Sequence, residues 1–301
     1  MPEQASSPAV TAAWVTNPDT RWLLGCDFSS APSGRKPIVV ALGRLQGQRV
    51  LLLGWVRLTS LPDFGNWLSE LPSWLGAFDL PFGLPRELVQ SLGWPLAWKA
   101  CMAHYCTLPR EQIRAAFAVF CDARAPGHKF AHRATDRPAG SSPSMKWVNP
   151  PVAFMLHAGM PWLLRCGAAL PGLHEGAADN CAPHGQPMRV ALEGYPGLLA
   201  REVLGRRSYK SDDTAKQDAA RLIARKDLIT ALEHGQTRLG LSLKLSHAQR
   251  DALADDARGD TLDAVLCLLQ AAWANTRFEA GDARYGLSPD MDPLEGWIVT
   301  A

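Results

Sequence analysis

Three apolar runs in this chain end in an acid. Leu23-Leu24-Gly25-Cys26-Asp27-Phe28 and Leu75-Gly76-Ala77-Phe78-Asp79-Leu80-Pro81 each close on an aspartate. Arg189-Val190-Ala191-Leu192-Glu193-Gly194-Tyr195-Pro196 places a glutamate in the same way. Short apolar runs bounded by turn residues form buried strands, and a carboxylate left unpaired at the end of a buried strand is costly. Three such acids on separate strands call for a shared partner. A hard divalent cation, which takes oxygen ligands, is the simplest one.

The chain has 301 residues, 47% of them apolar and 20% charged, which suffices for a sizeable core in one large domain or two modest ones. A formal net charge of +2 selects no class of partner. The seven Cys are irregularly spaced in a chain too long to need disulfide staples, so free thiols in a reducing compartment are expected. Residues 1–20 have neither the basic nor the apolar region of a secretory signal and read as a flexible Ser/Pro/Ala-rich lead. No apolar run is long enough to span a bilayer. The expectation is a cytoplasmic protein without membrane contact.

Residues 22–28, 37–45 and 49–58 are rich in β-formers and separated by turn material, the pattern of a three-stranded antiparallel meander. Leu61, Phe64, Trp67, Leu68 and Leu71 then fall at helical spacing, with Pro62 tolerated in the first turn. A strand over 74–80 stops at Pro81. Residues 85–121 are helical in pattern, with Pro95 and Pro109 placed to open new helices. Loops rich in Gly, Pro and polar residues cover 122–151 and 171–187, a length that points to function or disorder. A strand over 189–195 follows, then helices over 197–204, 214–234, 246–257 and 261–276, with Ser246 and Asp260 as N-caps. The expected architecture is one α/β domain over 21–301. Its mixed five-stranded sheet has three antiparallel strands followed by parallel ones, flanked by helices, and an insertion over about 86–187 separates strands four and five. This order, with acids ending the first and fourth strands and opening the last helix, is the ribonuclease H-like arrangement.

Asp260 and Asp263 are three apart and share one helix face. With Asp27 and Asp79 they form the candidate metal set, for Mg²⁺ or Mn²⁺. The chemistry such a set supports is two-metal hydrolysis of a phosphodiester, with ions roughly 3.5–4 Å apart clamping the attacking and leaving oxygens. Asp27 on the central strand would bridge the ions, Asp79 and Asp263 would hold one each, and Glu193 or Asp260 would orient water. Each acid also has a plain structural use: Asp27 as a turn cap, Asp79 as an Asx-turn residue, Glu193 as the partner of an Arg, Asp260 as a helix cap. For the substrate, His132, Arg133 and Arg137 in the basic loop and Tyr209-Lys210 further on are candidate contacts to a nucleic-acid phosphate backbone. A zinc site built from Cys101, His104, Cys106, Cys121, His128 and His132 is disfavoured, because their spacing matches no tight structural pattern. Gly-x-Ser-x-Gly, Walker A and dinucleotide motifs are absent from the sequence.

Several of these pieces together resemble a known family. Cys26-Asp27-Phe28-Ser29, Phe78-Asp79-Leu80-Pro81-Phe82-Gly83-Leu84-Pro85, Glu193-Gly194-Tyr195-Pro196, Tyr209-Lys210-Ser211, Asp260-Thr261-Leu262-Asp263-Ala264 and Glu295-Gly296-Trp297-Ile298 look like the DUF429 family. Its members are described as predicted nucleases of the ribonuclease H-like fold, and the resemblance runs from about residue 23 to 297. It implies the same fold and a metal-dependent attack on nucleic acid, DNA or RNA. Two other functions fit the pattern less closely. A phosphotransferase of the actin or sugar-kinase type would use the Asp27-Phe28-Ser29-Ser30 turn for phosphate, and a nucleic-acid-binding module would keep the fold without turnover.

Overall fold

A computed structural model describes residues 21–182 and 185–301, so the lead expected over 1–20 lies outside the described residues. Strands β1 (Trp22–Asp27), β2 (Ile38–Gln46) and β3 (Arg49–Leu58) form the expected antiparallel meander, followed by helix α1 (Leu61–Glu70) and strand β4 (Trp74–Asp79). Ser60 caps α1 by accepting the Asp63 N–H at 3.1 Å. The segment between β4 and β5 (Arg189–Glu193) is largely helical. It holds α2 (Arg86–Ser91), α3 (Trp98–Thr107), α4 (Arg110–Asp122), the single turn α5 (Asp136–Ala139) and α6 (Val152–Arg165). Pro109 immediately precedes α4 as expected, whereas α3 begins three residues after Pro95.

After β5 come α7 (Pro196–Leu204), α8 (Ala219–Glu233), the short strand β6 (Ser242–Lys244), α9 (His247–Asp255) and α10 (Asp260–Glu279). The sheet order is β5-β4-β1-β2-β3-β6, with β4 and β5 parallel to β1 and β6 parallel to β3. The sheet is thus mixed and six-stranded rather than five-stranded. β6 has three residues, too few for a period-2 pattern to register. The helix expected over 214–234 is split into a 3₁₀ turn at Thr214–Lys216 and α8, because Asp218 accepts the Arg221 N–H at 2.9 Å and starts α8 afresh. Ser246 forms a complete capping box with Gln249. Asp260 is not a cap: Gly259, at φ 75°, takes that position, and Asp256 accepts the Thr261 N–H at 2.9 Å. Among the described residues no helix is long and apolar enough to cross a membrane.

Alternation along the strands sends side chains to two cores. Trp22, Leu24, Cys26 and Phe78 face a core completed by Phe64, Leu88, Phe117 and Leu156 of the insertion side. Leu23, Val39, Leu75 and Ala77 face a second core completed by Leu199, Leu228, Leu253 and Val265 of the later helices. The 20-residue helix α10 runs across the middle of this second face. Its approach is unusually close. A Cβ at Gly25 would lie 2.0 Å from the Leu268 nitrogen and 2.1 Å from the Ala264 carbonyl oxygen, both helix backbone. The first four residues of α10 are thereby held over the ends of β1 and β4.

Gly25→Ala should therefore force the helix off the strand. Overpacking of this kind costs about 1–3 kcal/mol or more, and the urea unfolding midpoint should fall accordingly. An unchanged midpoint would contradict the backbone contact at Gly25.

Candidate functional site

The parallel pairing of β1 with β4 puts Asp27 directly opposite Asp79. Two residues in register on parallel strands point the same way, here toward the face that α10 covers. Asp260 and Asp263 occupy the first turn of α10, where two carboxylates meet the positive end of the helix dipole. Asp263 is fully buried and Asp260 is 8% exposed. The structure thus gathers Asp27, Asp79, Asp260 and Asp263 at one end of the sheet, close enough for each to act on its neighbours' charge. Burial, then the Asp263 charge, pushes the Asp27 carboxyl well above the usual aspartate range, with Asp260 and Asp79 adding to it. The same two causes push Asp79 up to about 7. Asp260 is raised by burial and by Asp256.

One ammonium answers this excess of negative charge. Lys210 Nζ donates to Asp263 Oδ2, and the Tyr209 hydroxyl donates to Asp263 Oδ1. Burial works against the Lys210 charge, yet Asp263, Tyr209 and Asp27 together hold its pKa well above the usual lysine value. The backbone here is pinned. Buried Arg225 donates to the Tyr209 carbonyl at 2.8 Å and to the Ala254 carbonyl at 2.6 Å, and the Ser211 N–H donates to the Ala257 carbonyl at 3.1 Å. Tyr209 and Lys210, read from sequence as phosphate contacts, are instead bound to an acid of the cluster.

Glu193 stands apart from the other acids. It pairs in register with Phe78, not Asp79, so its side chain leaves the opposite face of the sheet. Arg133 meets it there, with Nη2 to Oε1 at 2.6 Å and Nη1 to Oε2 at 2.8 Å, and the Phe82 N–H donates to Oε2 at 2.9 Å. Arg133 also holds Asp136 Oδ1 at 2.9 Å and the Glu295 carbonyl at 3.0 Å. Glu295 in turn accepts the backbone N–H groups of Arg86 at 2.7 Å and Ala134 at 2.9 Å. Glu193 and Arg133, expected to orient water and to bind phosphate, thus neutralise one another in a buried network. This is the ion-pair use of Glu193 that the sequence also allowed. His132 and Arg137 are exposed, and neither lines the cleft described next.

A cleft of about 620 Å³ opens beside the cluster. Its lining carries the acids Asp27, Asp79, Glu193, Asp212 and Asp260, with Arg133 still paired to Glu193, and the apolar residues Pro150, Val152 and Met155 of the insertion. Lys36, Arg258, Ser29 and Ser30 also line it, with Lys36 Nζ 3.4 Å from Asp212 Oδ2. Of these four, Ser29 and Ser30 are read from the sequence as phosphate contacts only for the phosphotransferase alternative, and Lys36 and Arg258 for none. Ser29 and Ser30 carried a signal in following Asp27; Lys36 and Arg258 lie in ordinary turns and carried none. The donor set of Asp27, Asp79 and Asp260, all carboxylate oxygen, is chemically suited to a hard cation. Among the described residues, however, no group of three or more His, Cys, Asp or Glu side chains is gathered into a ready-made metal site. Asp263 is turned to Lys210 and Tyr209 instead.

Comparison of the chain with protein-family models, with curated proteins and with solved structures returned no match.

Asp79 holds its proton more tightly folded than unfolded. Its contribution to stability is complete below the unfolded value of about 3.9 and is lost as pH rises through about 7. The thermal midpoint of the metal-free protein should therefore drop between about pH 4 and about pH 7, and Asp79→Asn should make that drop shallower. Equal slopes in the two proteins would remove Asp79 from the cluster. On the opposite face, Arg133→Met strips the charge partner from Glu193 and Asp136 and should cost about 3–5 kcal/mol in chemical denaturation. A loss under about 1 kcal/mol would show that the network is not buried as described.

Proposed function

We propose that this chain is a divalent-metal-dependent nuclease of the ribonuclease H-like fold, akin to the DUF429 family that its sequence resembles, and that it hydrolyses phosphodiesters of DNA or RNA. One observation carries the reading: Asp27 and Asp79 stand in register on adjacent parallel strands beneath Asp260 and Asp263. Four carboxylates share one ammonium there, and burial, followed by the charge of neighbouring acids, raises the proton affinity of Asp27, Asp79 and Asp260. Such a cluster lacks positive charge. The meander of β1 to β3, followed by parallel β4 and β5, with an acid-bearing last helix packed on β1, β2 and β4, supports the fold assignment. Seven free cysteines suit a reducing compartment and hence the cytoplasm.

Asp27, Asp79, Asp260 and Asp263 are the residues that would hold Mg²⁺ or Mn²⁺. When bound, the ion supplies Lewis acidity toward the phosphoryl oxygens and a more acidic water. The chain's own groups do the remaining work. Asp27, flanked by Asp79 and the helix acids, has the central position a bridging carboxylate needs. The Tyr209 hydroxyl fixes the orientation of Asp263. Asp260, released from capping by Gly259 and lining the cleft, is free to take a proton from an attacking water. Lys36 and Arg258 of the cleft lining meet the phosphates that flank the scissile one.

The test is cleavage of single-stranded, duplex and branched DNA and RNA with Mn²⁺, with Ca²⁺ as inhibitor. Asp27→Asn should lower the rate by at least about 100-fold. Cleavage that survives this substitution would sink the bridging role of Asp27. Turnover of ATP or GTP without nucleic-acid cleavage would favour the phosphotransferase, which the presence of Ser29 and Ser30 in the cleft lining keeps in the comparison. Binding of nucleic acid without cleavage would favour the module.

A further inference from the structure

Lys210 occupies the place where the acid cluster needs positive charge. Its ammonium lies on Asp263, which is completely shut off from solvent, and its charge also lowers the proton affinity of Asp27, Asp79 and Asp260. The rest of the side chain is not sealed in: 41% of it is exposed, and it lines the cleft next to Ser211 and Arg258. Its stem crosses the start of α10 at Gly259, where a Cβ would lie 2.8 Å from Lys210 Cβ and 3.1 Å from Cδ. The backbone on both sides is tied down through the Tyr209 carbonyl and the Ser211 N–H.

We propose that Lys210 is a built-in competitor of the divalent cation. In the metal-free protein its ammonium neutralises Asp263; on metal binding it is displaced and turns into the cleft, where a substrate phosphate receives it. The inference rests on the metal reading given above. One positive charge facing four carboxylates is a partial remedy, and a divalent cation brings two. The ammonium and the incoming cation repel each other at the same carboxylate, so both cannot stay. The exchange makes metal binding weaker than the acids alone would allow. It also links the two ligands, since a phosphate in the cleft gives the displaced ammonium a new partner and so favours the metal-bound state.

The measurement is Mn²⁺ affinity of the full chain without substrate, read from the loss of the free-ion electron paramagnetic resonance signal. Lys210→Met should bind Mn²⁺ more tightly than wild type by about tenfold or more, while its KM for a single-stranded oligonucleotide rises. Lys210→Arg, which keeps the charge, should stay near wild type in Mn²⁺ affinity. A lysine that merely props up the site would give weaker metal binding when removed. If wild type binds Mn²⁺ and Lys210→Met binds it equally or more weakly, the competitor role is overturned and the nuclease reading stands. If neither protein binds Mn²⁺ at millimolar concentration, both fall. Circular dichroism checks the fold; should Lys210→Met not fold, Lys210→Gln carries the same expectation.

Discussion

At Gly25 the backbone of β1 and the backbone of α10 touch, with no side chain between them. A helix packed on a sheet is normally held away by the residues of both surfaces, which interdigitate at interior density. Here the strand gives up its side chain at the crossing point, and the helix settles into the space. The helix start is lowered toward the strand ends as a result, and Asp260 and Asp263 come down onto the pair that β1 and β4 present. At Gly43 on β2 the space goes instead to a helix side chain: a Cβ there would meet Leu268 Cδ2 at 2.9 Å and the Leu51 carbonyl of β3 at 2.8 Å. The charge crowding at the site is thus a consequence of packing in the core beneath it. Cys26 and Cys267, buried close by, show the same field, since burial and the nearby aspartates raise both thiols well above their usual range.

Much of this was legible in the sequence because it depends on local pattern. Strand-ending acids, the helical spacing of Leu61 to Leu71 and the Ser246 capping box are all visible within a few residues. What escaped depends on register and on distant partners. Glu193 looks like Asp27 and Asp79 in its run, yet β5 pairs one position earlier, and a shift of one residue turns a side chain to the other face. Asp260 fits the N-cap preference, but the αL conformation open to Gly259 moved the helix boundary by one residue. Lys210 lies about 50 positions from Asp263, and no periodicity links the two.

The motifs that carried the family resemblance meet in space, although not around the acid cluster alone. Phe82 donates its N–H to Glu193, Gly83 lies against the carbonyls of Leu294 and Glu295, and the Ile298 N–H donates to the Thr135 hydroxyl at 3.0 Å. A Cβ at Gly83 would fall 2.3 Å from the Leu294 oxygen and 2.5 Å from that of Glu295. The Asp-Leu-Pro-Phe-Gly run therefore divides its labour. Asp79 serves one face of the sheet, and the residues after it serve the buried Arg133 network on the other.

That network joins residues 86, 133, 193 and 295 through hydrogen bonds spanning up to 209 positions. Its final tie is the Val299 N–H on the Glu193 carbonyl at 2.8 Å. A chain emerging from the ribosome would expose β1 to β4 and both strand aspartates long before this tie can form. Until the last residues emerge, Arg133 lacks the carbonyl of Glu295 and the cleft lacks Ile298. Synthesis thus delivers the parts in a fixed order: the acidic pair of the sheet first, the helix acids next, and Glu295 and Ile298, which complete the Arg133 network and the cleft lining, last.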